Sequence, residues 1–180
     1  MLANLRALFS VLVDIILLRR GPEQLPASPV LLAIVIGFYI AISAMVVASQ
    51  VVTDRNWPLE LVIGTATMLI WYQVALQLAK KRERYLQTMT AMFGVSTIFA
   101  PLLVPMLNSV VAQMQAKQQP SQFLSMLSLF LLVWLVVIFV RIVRSAFEWP
   151  WPAALLLVIG QEIFSILVFV LVFGGPAATG

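Results

Sequence analysis

The sequence predicts an all-α membrane protein, with five transmembrane helices preceded by an N-terminal amphipathic interfacial helix. Three observations carry that prediction. The 180 residues are 62% hydrophobic and only 10% charged, with a mean hydropathy of +1.04. A soluble domain carries roughly 25% charged side chains, and no water-facing surface can be built from what is left here. Five apolar runs follow one another between short polar breaks, each about the length needed to cross roughly 30 Å of hydrocarbon. The cations gather at the ends of those runs rather than inside them.

Residues 1–28 form the first region, an interfacial helix and a proline-rich linker. The run from Ala3 to Leu18 has a signal-peptide outline, with Arg6 ahead of an apolar core. Asp14 interrupts that core, Arg19 and Arg20 follow it, and no small-x-small cleavage site comes next. Arg6, Ser10 and Asp14 recur every four residues and make one polar stripe on an apolar helix. At about 1.5 Å per residue the run is too short to span, so it is expected in the interface, apolar side down. Gly21-Pro22 is expected to end it.

Residues 29–180 form the five-span region, with spans near 30–52, 59–79, 86–112, 123–140 and 153–173. Pro29, Pro58, Pro120 and Pro152 stand at the starts of four spans, where the first helical N–H groups have no partner to lose. The third span leaves directly from Lys80-Lys81-Arg82-Glu83-Arg84, so spans two and three are expected to form a tight hairpin. Pro101 and Pro105 predict a bend in its outer half, with Ser96 and Thr97 placed to satisfy the freed carbonyls. Arg141 and Arg144 are expected to end span four and snorkel to headgroups. Trp149 and Trp151 follow as an aromatic belt. The tail Gly174–Gly180 is too short for a domain.

Arg6, Arg19, Arg20, Lys80, Lys81, Arg82, Arg84, Arg141 and Arg144 fall on one side, and only Arg55 and Lys117 on the other. Such an excess predicts a cytoplasmic N-terminus and, after an odd number of spans, an external C-terminus. The pI near 10.0 does not indicate nucleic acid, because the net charge is only +4 and the cations sit at span ends. With no cysteine and no histidine, thiolate sites and the commonest general base and metal ligand are absent together. No cofactor, metal or catalytic residue is therefore expected.

Polar residues inside the spans are the candidate sites. Glu162 lies beside Gln161 and one turn before Ser165, near the predicted midplane. A central charge costs on the order of 3 kcal/mol on insertion scales. Fifteen Leu, Ile, Val and Phe residues in that span outweigh it at up to roughly 0.5 kcal/mol each. Gln73 and Gln77, one turn apart on span two, complete a tentative polar cluster with Glu162 and Gln161. The cluster is either a protonatable or ligand-facing group in the bundle interior, or a hydrogen-bonded lock for packing. Lys80, Lys81, Arg82 and Arg84 are tentative contacts for lipid headgroups, at about 1 kcal/mol per cation. Their plainer role is to fix orientation. On span one, Gly37, Ala41, Ala44 and Ala48 share a face suited to close helix packing, within the monomer or in a dimer. Tyr39, Ser43 and Gln50 form a second stripe expected to meet polar groups of neighbouring spans.

Two stretches, Leu18-Arg19-Arg20-Gly21-Pro22-Glu23-Gln24-Leu25-Pro26-Ala27-Ser28-Pro29 and Arg84-Tyr85-Leu86-Gln87-Thr88-Met89-Thr90-Ala91-Met92-Phe93-Gly94, resemble small bacterial proteins of the Yip family. That resemblance implies an N-terminal helix, five spans with short loops, and a bacterial cytoplasmic (inner) membrane. The long N-terminal region and the Asp-Leu-Tyr-Gly-Pro motif of the eukaryotic members are missing, so no Rab-directed role and no site residue carries over. The expected function is a non-enzymatic protein organising lipid or partner proteins, the bilayer itself and a membrane-protein partner or second copy being its contacts. A small transporter with a polar path near Glu162 is the alternative.

Overall fold

The structure, a computed structural model, describes residues 2–48, 56–117 and 119–174. Its helices are α1 (Leu2–Ile16), α2 (Pro29–Ala48), α3 (Trp57–Leu78), α4 (Tyr85–Gln115), α5 (Gln122–Phe147) and α6 (Trp151–Phe173). Short 3-10 turns occupy Pro22–Gln24 and Arg82–Arg84, and no strand occurs among the described residues. Helices α2 to α6 are each long and apolar enough to cross a membrane, which makes the chain a multi-pass membrane protein. Their outward faces carry large apolar side chains, such as Phe130 and Val133 on α5 and Ile163 and Ile166 on α6. Apolar surface of that extent calls for lipid as its solvent. The end of the predicted first span, Gln50 of its polar stripe, Arg55 and the tail beyond Gly174 lie outside the described residues.

Helix α4 is the hub. Every residue from Thr88 to Val95 is buried, so this stretch is enclosed on all sides rather than on one face. Around it α2, α3, α6 and α5 follow in order, α4 touching α2, α3 and α5 while α6 closes the ring between α3 and α5. Tyr39 of α2 packs its ring against Phe93 at 5.2 Å. Helices α3 and α6 run antiparallel: Trp71 stacks on Phe164 at 5.3 Å, and Gly64 faces Phe169 a few turns away. Tyr85 at the start of α4 donates its hydroxyl to the Leu69 carbonyl at 3.4 Å, closing the α3–α4 hairpin.

Buried and half-buried hydroxyls mostly satisfy their own helix. Thr65, Thr67, Thr88, Thr90, Thr97 and Ser128 each donate to the carbonyl four residues back, at 2.7 Å. In a medium without water this is the nearest available acceptor. It also corrects the expectation for Thr97, whose hydroxyl goes to Phe93 and not to a carbonyl freed by proline. Helix α4 runs unbroken through Pro101 and Pro105.

Three further expectations change. Helix α5 does not end at Arg141 but continues to Phe147, because Ile142, Val143, Ala146 and Phe147 are core residues while Arg141 and Arg144 share the exposed face. The small-residue stripe of α2 does not pack inside the monomer. A Cβ on Gly37 would meet open space, Ala41 and Ala48 are exposed, and Leu32, Val35 and Ser43 form the packed face instead. Helix α1 ends before Gly21-Pro22, where Leu18 takes a left-handed backbone (φ 60°) and the Arg19 amide donates to the Asp14 carbonyl at 2.8 Å. Lys80, Lys117 and Glu148 are left-handed in the same way where α3, α4 and α5 end. Glycine is the usual residue there, so these stops carry no sequence signal.

Helix α1 is too short to span, and it does more than rest on the bilayer. Leu12 and Ile15 belong to the core, and Leu12 lies over Gly94, about 14 Å along α4 from its first residue. Arg6 and Ser10 of the polar stripe are exposed, and Asp14 pairs with Arg20 at 3.0 Å. A Cβ placed on Gly94 would come within 2.6 Å of Leu12 Cδ2. Gly94→Ala should therefore destabilise the protein by about 1 kcal/mol through overpacking. In a Leu12→Ala background the same substitution should cost close to nothing, and thermal unfolding of the four proteins in detergent measures that coupling.

Candidate functional site

Three polar places emerge, and they divide the residues that the sequence singled out. The first is a clamp at the basic end of the bundle. Arg84 Nη1 donates to the carbonyls of Ser145 (2.8 Å) and Ala146 (3.3 Å), the unsatisfied end of α5, and Nη2 donates to Glu148 at 2.5 Å. Lys81 pairs with the other oxygen of the same carboxylate. Ser145 donates to Glu23 in the linker at 2.7 Å, while Gln87 Nε2 donates to the Leu25 carbonyl at 2.8 Å. One guanidinium thus ties the α3–α4 turn to the end of α5, and Glu23 and Gln87 add the linker. The space enclosed beside it is about 10 Å³, barely one water, so this is a fastening rather than a binding site. Lys81 and Arg84 are occupied inside the protein, whereas Lys80 and Arg82 are exposed.

The second place is a cleft of about 220 Å³ at the same end, lined by Gln73, Leu76, Gln77, Arg82 and Tyr85. It joins two residues expected in the intramembrane cluster with one expected at the headgroups. Gln73 and Gln77 do share a face of α3, but it is not the core face. Tyr72, one residue earlier, points into the core instead and is fully buried.

The third place lies inside the ring. Gln161 is buried and donates to Ser165 at 2.9 Å, leaving its Oε1 without a partner. The Tyr72 hydroxyl and the Trp71 indole N–H are likewise buried and unpaired. Tyr39 and Ser43 of α2 are hydrogen-bonded to each other. Glu162, expected in the bundle interior, is instead exposed on α6, on the face that also carries Ile159, Ile163 and Ile166. No ion pair joins Glu162 to Arg141 among the described residues. Next to Tyr39 and Ser43 opens a cavity of about 230 Å³ between α2, α3, α4 and α5, walled chiefly by apolar side chains. Tyr72, Glu148 and Ser145 carry no expectation from the sequence. Their only signal was a polar atom on an otherwise apolar helix or at its end, and partners far away in sequence decide what such atoms do.

Against protein-family models, curated proteins and solved structures, the chain finds no match. Function must be argued from this geometry.

Hydrogen bonds from Lys81 and then Arg84, with the charges of both, hold the Glu148 carboxyl below the usual carboxylate range. Its folded pKa is depressed, so the stability it contributes is present above the unfolded value and lost as pH falls through the folded one. Glu148→Gln should lower the melting temperature at neutral pH. The gap to wild type should close as pH drops below the carboxylate range, which thermal scans of nanodisc-embedded protein over a pH series can follow.

Proposed function

We propose that the protein is a non-enzymatic membrane protein that organises lipid at the cytoplasmic face of a bacterial inner membrane, as a Yip-like five-span bundle with its N-terminus inside. The observation that carries this reading is the cleft of Gln73, Gln77, Arg82 and Tyr85 at the basic end. Arg82 is exposed and lines that cleft together with two amides, just past the end of α3. A guanidinium with neighbouring amide donors suits a phosphate. Lys80, Arg141 and Arg144 are exposed as well and extend the cationic surface. Deleting α1 is no clean test, because Leu12 and Ile15 are core residues. Arg82→Gln is cleaner: it should weaken retention of an anionic phospholipid about fivefold, at roughly 1 kcal/mol per cation near the surface. Lys117→Gln, at the opposite end, should change nothing. Lipid titration followed by mass spectrometry of the detergent-solubilised protein reads both, and equal retention by the two variants would refute the site.

The transport alternative is favoured by one separate observation, that Gln161 is buried with its Oε1 unpaired next to an exposed Glu162. Solute uptake or proton leak in reconstituted vesicles, abolished by Glu162→Gln, is its signature.

A further inference from the structure

The outward face of α5 combines charge with apolar surface in a way that the cleft at Arg82 does not use. Phe130, Val133, Val137, Arg141 and Arg144 follow at spacings of three and four residues, so they share one face, and each is exposed. Counted from Phe147 at about 1.5 Å per residue, Arg144 lies about 5 Å and Arg141 about 9 Å inside the end of α5. Trp149, packed on Phe147 at 4.7 Å, and Trp151 lie just beyond, and indoles favour the headgroup layer. Both guanidiniums therefore stand at the edge of the hydrocarbon, within snorkelling reach of phosphates.

The pair selects a charge. Neither guanidinium makes a hydrogen bond or an ion pair among the described residues. Carboxylates near this end of α5 are already engaged: Glu148 by Lys81 and Arg84, and Glu23 by Ser145. Glu162, on the adjoining α6, stands about 16 Å up that helix. Arg141 and Arg144 are neighbours on the helix surface, about 5–6 Å apart at Cβ, where like charges repel. A phosphodiester carries a single negative charge and neutralises half of the pair. A phosphomonoester carries about −1.5 to −2 at pH 7 and has three acceptor oxygens, enough to serve both guanidiniums.

The rest of the face selects a tail. From Arg141 to Phe130 the apolar lane is about 17 Å long, close to one leaflet of a core of roughly 30 Å. Val137 and Val133 line it, and Phe130, stacked on Trp134 at 6.2 Å, closes its inner end. A water-soluble phosphate or an acidic cytoplasmic protein has nothing to lay along that lane.

We infer that the outward face of α5 binds a phosphomonoester lipid, its phosphate between Arg141 and Arg144 and an acyl chain along Val137, Val133 and Phe130. The inference rests on the basic end standing among headgroups, as the lipid-organising role requires, and uses no residue of the Arg82 cleft.

Phosphatidic acid and phosphatidylglycerol with identical acyl chains, offered in equal amounts to the full chain in detergent, test it. Mass spectrometry of the intact complexes resolves the two lipids. Phosphatidic acid should be retained about fivefold over phosphatidylglycerol at neutral pH. The ratio should fall toward one at about pH 5, below the second phosphate pKa. Arg141→Gln and Arg144→Gln, both at exposed positions, should each bring it near one at neutral pH. Arg82→Gln should lower retention of both lipids and leave their ratio alone, which separates this site from the cleft. Glycerol 3-phosphate, the same headgroup without tails, should displace neither lipid. A wild-type ratio near one, a ratio unmoved by both α5 substitutions, or displacement by glycerol 3-phosphate would each overturn the site.

Discussion

Enclosure of α4 between Thr88 and Val95 is the constraint from which the rest of the bundle follows. Within a bilayer no hydrophobic drive holds helices together, so association rests on close packing and on polar contacts. Small and hydroxyl-bearing side chains such as Thr88, Thr90, Ala91 and Gly94 let neighbours approach from every direction. Their hydroxyls are satisfied within α4, which leaves its surface apolar. The half-length helix α1 finds a place only because Gly94 lacks a side chain where Leu12 sits.

Polar chemistry then divides by depth. At the basic end it holds elements together: Arg84 replaces the water that would otherwise solvate the last carbonyls of α5, and Lys81 shares its carboxylate partner. Deeper in, polar groups are few and incompletely paired, and there an unpaired atom has no water to fall back on. Tyr72 and Gln161 are expensive to keep in such a place, which is why they attract a functional reading. Stability and chemistry occupy different layers of one bundle.

How much of this was legible in the sequence depends on the range of the interaction. Span number and approximate limits follow from local apolarity, and the structure reproduces them with shifts of a few residues at most helix ends. The large shift, at α5, arose because Arg141 and Arg144 look like a boundary in one dimension, yet lie on the outer face of a helix whose other side is still core. Which face of α3 turns inward was not legible. Polar and apolar residues are spread around that helix, and the spacing of Gln73 and Gln77 fixed their common side without saying where it points. The inward face, with Thr65, Tyr72 and Leu76, mixes hydroxyl and apolar side chains as the outward one does. The pairing of Arg84 with Glu148 crosses more than sixty positions and leaves no local trace.

That separation bears on how the protein is made. Ribosomes deliver Arg84 well before Ser145 and Glu148, so the hairpin of α3 and α4 inserts while its guanidinium is still hydrated. Only when α5 is in place and Glu148 turns its left-handed corner can the carbonyls and carboxylate collect those donors. Closure of that clamp is thus a late event in biogenesis, set by the arrival of the fourth membrane helix rather than by the strength of any earlier contact.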